Sequence, residues 1–174
     1  EHFDDEILKL NNRAHGSMEI SRAYDFARSV EFPQINIDLI AGMLGETPAK
    51  WAACVDRAVH MQPDSVTIYQ MEIPYNTTIY KEMKAGGETI APVADWETKR
   101  EWVSRAFLEF EKAGYTVTSA YTAVRDPART HFVYRDALWT GADLIGIGVA
   151  SFGLVNGAHY QNIKDMDPYH GSVQ

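Results

Sequence analysis

The sequence predicts an α/β chain built from parallel βαβ units, closed as a (β/α) barrel or left as an open sheet. Three observations lead there. Two β-forming runs, INIDLI from residue 35 and SVTIYQM from residue 65, start one βαβ period apart. Between them Trp51, Cys54, Val55, Ala58 and Val59 recur at helical spacing. Glu1 to Phe3 lies almost one period upstream, where a further strand would end. Apolar strands separated by amphipathic helices need helical cover, and both architectures gather ligands at the C-terminal strand ends.

The elements follow in order. DDEILKLNNR is a short helix with an acidic first turn, which suits the positive end of the helix dipole. Ser17 is expected to cap a second helix whose stripe is Ile20, Ala23, Tyr24 and Ala27, and Pro33 closes that section. Thr47 and Pro48 form an N-cap and first-position pair, and Pro63 with Asp64 turns the chain into the second run. IPYNTTIYKEMKAGGETIAPVAD is broken by glycine and proline and reads mostly as loop with one helical turn. Asp95 caps the longest helix, which carries Val103, Ala106, Phe107 and Phe110 and ends at Gly114. YTVTSAYTAV reads as strand, RDPARTHFVYR as irregular, and DLIGIGVASFG as a glycine-punctuated strand with its turn.

Composition excludes several classes. A net charge of −8, from 24 acidic and 16 basic residues, argues against a general nucleic-acid surface, although RDPAR brings Arg125 and Arg129 together. Cys54 is the sole cysteine, so no internal disulfide forms, and its neighbours make it a buried helix residue. There is no transmembrane run and no signal peptide, so a cytoplasmic protein is expected. The chain starts without an initiator Met and reads as part of a longer protein.

Asp38 is the main candidate for chemistry: a carboxylate at the centre of an apolar strand. In a barrel it would face inward and accept hydrogen bonds from ribose hydroxyls or a cation; a structural bond or a surface position are the alternatives. Ile35, Ile37 and Leu39 would then pack outward against helices. Asn36 shares the parity of Asp38 one step deeper and suits a structural role. Gly42 and Gly45 permit close backbone approach, or simply serve an ordinary βα turn; no phosphate-loop motif is present. Arg13, in RAH with His15, has the planar fork for a carboxylate. Glu72 ends the second run at either a pocket or its rim. The histidines and the lone cysteine have no metal-ligand spacing.

EHFDDEILKLNNRAH, NIDLIAGMLGET and PDSVTIYQMEIP, taken together, resemble the second half of the radical S-adenosylmethionine barrel in the oxygen-independent coproporphyrinogen III oxidase family. That family reads as a GVQSF-type strand end, a GR-x-H loop, NIDLIYGLPGQT and a strand after NPD. Its later GLG-x-GAHS-like segment is echoed by GIGVASFG. MLGET stands for the commoner LPGQT, and Glu1 for a glutamine.

The resemblance implies a partial (β/α) barrel of radical S-adenosylmethionine type, lacking its N-terminal half, over 1–90. An α+β extension, a long helix plus strands, follows over 91–174. It further implies S-adenosylmethionine across the C-terminal strand ends. Arg13 matches the contact to the methionine carboxylate and Asp38 a strand aspartate of the same site. Glu1, Gly42 and Glu72 fall at further cofactor-facing positions. Gly146, Gly148 and Ala150 match small residues at the active-site mouth, and Arg125, Arg129 and Arg135 are candidates for substrate carboxylates. The [4Fe–4S] cluster needs a CxxxCxxC loop that this chain lacks, so no metal site is expected on it and catalysis belongs to the full-length protein. The implied reaction turns a porphyrinogen propionate into a vinyl group by hydrogen-atom abstraction followed by loss of CO2 and an electron. Alternatives are a haem or tetrapyrrole carrier using His131, His159 or His170, a haem-modifying relative, or a non-catalytic fragment. The expected partners are the N-terminal barrel half or a second copy, and a tetrapyrrole, with no nucleic acid and no membrane span.

Overall fold

The parallel βαβ unit organises the first part of the computed structural model, which describes residues 1–73, 78–86 and 93–172. Strand β1 (Asn36–Ala41), helix α3 (Pro48–Met61) and strand β2 (Ser65–Gln70) make it, after helices α1 (Asp5–Leu10) and α2 (Ser17–Ser29). Helices α4 (Thr78–Ala85) and α5 (Trp96–Lys112) follow, then strands β3 (Thr116–Val117) and β4 (Thr122–Val124). The sheet order is β1-β2-β4-β3, with β1 and β2 parallel and the other pairs antiparallel. The Glu1 carbonyl accepts the Ile40 N–H at 2.9 Å, so the chain start lies along the free side of β1, as a strand end would.

Strand parity separates two faces. Ile37, Leu39, Ala41, Val66, Ile68 and Ala123 point to one side, where Trp51, Cys54, Val55 and Ala58 of α3 meet Trp102, Val103, Ala106 and Phe110 of α5. The Trp51 indole N–H donates to the Trp102 carbonyl at 3.0 Å and the two rings stack at 6.5 Å, which fixes α3 against α5. Asn36, Asp38, Ser65, Thr67 and Thr122 share the opposite face. Ile37 and Leu39 pack toward the helices as expected. Ile35 lies just before the strand, half-buried, with its N–H donated to Asp64 at 2.9 Å.

Local capping explains the helix starts. The Thr47 hydroxyl accepts the Lys50 N–H, Asp95 accepts that of Thr98, and Asp4 accepts those of Glu6 and Ile7. Gly16, not Ser17, is the cap of α2: the Glu19 carboxylate reaches back to the Gly16 N–H at 2.9 Å while Asp5 accepts that of Ser17.

Three sequence expectations need correction. The stretch from 73 to 95 holds an eight-residue helix, α4, rather than one turn; residues 74–77 and 87–92 of it lie outside the described residues. YTVTSAYTAV is a hairpin, because the Ser119 hydroxyl accepts the Tyr121 N–H and the Thr118 N–H turns back to Thr122. RDPAR is a turn held by the Asp126 side chain, but the irregular reading fails beyond it, where Val133–Trp139 is helix α6.

The chain divides into two compact units, Glu1–Thr130 and His131–Gln174. This division is one of compactness; α5, beyond residue 90, packs in the core of the first unit. In the second unit, strands β5 (Phe152–Val155) and β6 (Ala158–Gln161) form a hairpin followed by helix α7 (Met166–Ser172). DLIGIG is not a strand: only Leu144 bridges, to Leu154. Gly146 runs so close to the Phe152 carbonyl that a Cβ would stand 2.4 Å from it. No helix among the described residues is long and apolar enough to cross a membrane.

Cys54 is buried, and burial pushes its thiol up to about 12. At pH 8 a maleimide should therefore label the native protein far more slowly than the urea-unfolded one. Equal rates in a cooperatively folded sample would show that the α3 packing described above is wrong.

Candidate functional site

The polar sheet face rises from a saturated base to an open rim. The Asn36 side-chain carbonyl accepts the Ser65 hydroxyl at 2.8 Å and the Thr67 hydroxyl at 3.2 Å, while its amide donates to Asp38 at 2.7 Å. Asn36 is thus held within the sheet's own network. Asp38, one layer nearer the strand end, is exposed on the same face. Beyond it, Tyr69 stacks on Tyr121 at 6.5 Å, and these rings with Gln70, Glu72 and Trp96 enclose a recess of about 470 Å3. Burial raises the Tyr69 phenol pKa, and the Asp38 charge adds to the effect.

Lys99 is buried where β1 and β2 end, against the Trp96 ring. Its stem crosses Gly42, its ammonium donates to the Met71 carbonyl at 2.8 Å, and that nitrogen lies 3.9 Å from the Trp96 ring centroid. Burial lowers the Lys99 pKa, opposed by the charges of Glu72 and Asp95. Gly42 has φ +85°, and a Cβ there would stand 2.4 Å from the lysine stem. Both facts require glycine.

The turn after β1 is held from inside. Glu46 accepts the N–H groups of Gly42 at 2.6 Å and Met43 at 3.0 Å. Its other oxygen lies 3.0 Å from His2 Nε2, with side chains 0% and 1% exposed respectively. That last contact is within ion-pair reach but off the straight hydrogen-bond line. His2 Nδ1 accepts the Asp4 N–H at 2.9 Å, which puts the ring proton on Nε2, facing the carboxylate. The Asn11 amide completes the clamp by accepting the Leu44 N–H and donating to the Leu44 carbonyl, both at 3.0 Å.

The structure brings some expected residues together and separates others. Arg13 Nε meets the Glu1 carboxylate at 2.7 Å, also off the straight line, with each side chain about 30% exposed. Gly42 and Glu72 both neighbour Lys99. Arg125 is a correction. It pairs with Asp64 at 2.9 Å beside the N-terminal end of β2, because β4 runs antiparallel and carries it away from the recess. Arg129 is exposed in the Asp126 turn that follows, not at the recess. Gly146, Gly148 and Ala150 lie in the second unit. There Asn162 donates to the Gly146 and Gly148 carbonyls, and the Ala150 N–H goes to Ile163.

Sequence reasoning missed His2, Asn11, Glu46 and Lys99. A carboxylate inside the otherwise apolar AGMLGET turn was the available signal for Glu46. The others show no local pattern. No group of three or more metal-binding side chains occurs among the described residues, and Cys54 is enclosed in the core, so an iron–sulfur cluster does not fit this chain.

Against this geometry the comparisons can be set. No protein-family model matches the chain. It is 23% identical over 181 residues to an oxygen-independent coproporphyrinogen III oxidase of Salmonella typhimurium, covering 98% of this chain and 39% of that protein. It is 21% identical over 170 residues to the heme chaperone HemW of Bacillus subtilis, covering 96% of this chain and 43% of the relative. The solved coproporphyrinogen III oxidase (HemN) from Escherichia coli, described as a radical SAM enzyme, superposes with a TM-score of 0.78 at 22% identity. The match covers 99% of this chain and 41% of that one. The family resemblance holds along nearly the whole chain. The chain shares the fold of the matching part of that solved structure, a βαβ unit of partial-barrel kind followed by α+β elements, and it spans well under two thirds of these relatives.

Gly42→Ala should lower stability by about 1–3 kcal/mol from backbone strain alone, with the Lys99 overlap added. In a Lys99→Ala background the cost should fall toward the strain term. Urea unfolding of the four members of the cycle measures this, and full additivity would deny the Gly42–Lys99 contact.

Proposed function

We propose that this chain supplies part of the cofactor and substrate pocket of a radical S-adenosylmethionine oxidoreductase acting on a porphyrinogen or related tetrapyrrole. In this reading, 1–90 is the barrel part and 91–174 the extension, in a cytoplasmic protein of the oxygen-independent coproporphyrinogen III oxidase type. The observation that carries it is the polar sheet face, saturated at Asn36 and open at Asp38, which ends in an aromatic recess at the C-terminal strand ends. Such a face in a barrel is where ligands lie.

The residues present suit S-adenosylmethionine. Asp38 offers a carboxylate acceptor for ribose hydroxyls, the Glu1–Arg13 pair carries both charges that an amino-acid zwitterion needs, and Gly42 lets the backbone approach. When bound beside a reduced iron–sulfur cluster, that cofactor supplies hydrogen-atom abstraction. The cluster's thiolates must come from another segment or subunit, because this chain provides none. Tyr69, Tyr121 and Trp96 then act as apolar walls that orient the pyrrole rings of the substrate and keep water out. Lys99, buried behind Trp96, holds that ring in place from behind.

Matches to heme chaperones favour a second reading, a haem carrier that keeps the barrel without oxidase turnover. Haem titration separates the two: a stoichiometric Soret change without turnover favours the carrier, and conversion of coproporphyrinogen favours the oxidase.

For the main reading, Asp38→Ala in the full-length, cluster-loaded protein should weaken S-adenosylmethionine binding by roughly 1.5–3 kcal/mol, the range for hydrogen bonds to a charged group. The unfolding midpoint should barely change. Calorimetry that finds wild-type affinity in a folded mutant would reduce Asp38 to a structural residue.

A further inference from the structure

We propose that His2 and Glu46 are positioning residues that preset the turn after β1 for its ligand; this rests on the reading that S-adenosylmethionine lies across that strand end. The turn carries peptide groups to the ligand side, and Gly42 there has a backbone that only glycine adopts without strain. Nothing in a Gly-Met-Leu-Gly segment fixes those peptides by itself. The Glu46 carboxylate does so, through the Gly42 and Met43 N–H groups.

A buried carboxylate is costly unless its oxygens are matched by donors. One Glu46 oxygen takes two backbone N–H groups, and the other faces His2 Nε2. The ring cannot turn its lone pair to Glu46 without abandoning the Asp4 N–H, which also belongs to the N-cap of α1. His2 therefore carries its proton on Nε2, which lies 3.0 Å from the Glu46 oxygen though off the straight hydrogen-bond line, so an acceptor suits that side better than a second donor. The negative charge is consumed inside the turn rather than offered to the ligand. Glu46 thus shapes the site without adding charge to it.

The same geometry distinguishes this role from generic packing. A glutamine at 46 keeps the size but puts an NH2 group on one side. If its carbonyl holds the two backbone donors, the NH2 opposes His2 Nε2–H; if it turns to His2, the backbone donors lose their acceptor. Removing the imidazole as well relieves the conflict and leaves the carbonyl free for the turn.

The test uses the full-length, cluster-loaded protein with S-adenosylmethionine as probe, comparing wild type, Glu46→Gln and His2→Ala/Glu46→Gln. Two readings are taken: the calorimetric affinity, and amide hydrogen exchange at Gly42 and Met43 with Val66 and Ile68 as core controls. Glu46→Gln should weaken binding about tenfold or more, the scale of one charge-assisted hydrogen bond, and speed exchange at the two turn amides alone. The double variant should recover most of both. Turn amides unaffected by Glu46→Gln, or a double variant no better than the single, would overturn the proposal. So would exchange that rises equally in the core, since that marks a merely structural role. If the turn amides respond as expected but wild type binds no S-adenosylmethionine, the positioning of the turn stands and the cofactor reading fails.

Discussion

The parallel register between β1 and β2 is the constraint on which the rest depends. Asp38 opposite Thr67 and Leu39 opposite Ile68 put polar and apolar side chains on opposite faces of one sheet. A slip by one residue would drive Asp38 and Asn36 into Trp51, Val55 and Phe110 and turn Leu39 outward. Two forces prevent it. The helices α3 and α5, joined at Trp51 and Trp102, accept only the apolar face, and Asn36 ties Ser65 and Thr67 across the other. Function and stability therefore divide by strand parity.

What the sequence revealed was local or periodic. Thr47 with Pro48, and Asp95 before a long amphipathic run, announce helices by bonds made within three residues. The strand alternation of 35–41 alone puts Asp38 on the face opposite the core. What stayed hidden was neither. Asn11 reaches Leu44 across 33 positions, and Lys99 reaches Met71 across 28. A polar side chain serving a distant backbone group leaves no periodic mark. The β3–β4 hairpin failed for another reason: strands of two and three residues are too short to show a period. Arg125 was misplaced because a pair of arginines says nothing about which sheet end their strand finishes at.

Electrostatics at the recess follow the same division of labour. Glu46 is engaged by the Gly42 and Met43 N–H groups, with His2 beside its other oxygen, while Asp38 and Glu72 remain exposed at the rim. Lys99 sits between backbone, ring and carboxylates, so its charge is retained at some cost from burial. The exposed charges named here, Asp38 and Glu72, are acidic, and the Lys99 cation lies buried behind Trp96.

The Lys99 tether has an evolutionary consequence. One side chain from the first turns of α5 reaches back to the end of β2 and to Gly42, so both ends of the intervening segment are pinned independently of what runs between them. Closing a longer segment between fixed ends adds only about 0.6 kcal/mol per doubling of its length. Insertions and deletions can therefore accumulate there while the Lys99 contacts to Met71 and Gly42 stay in place.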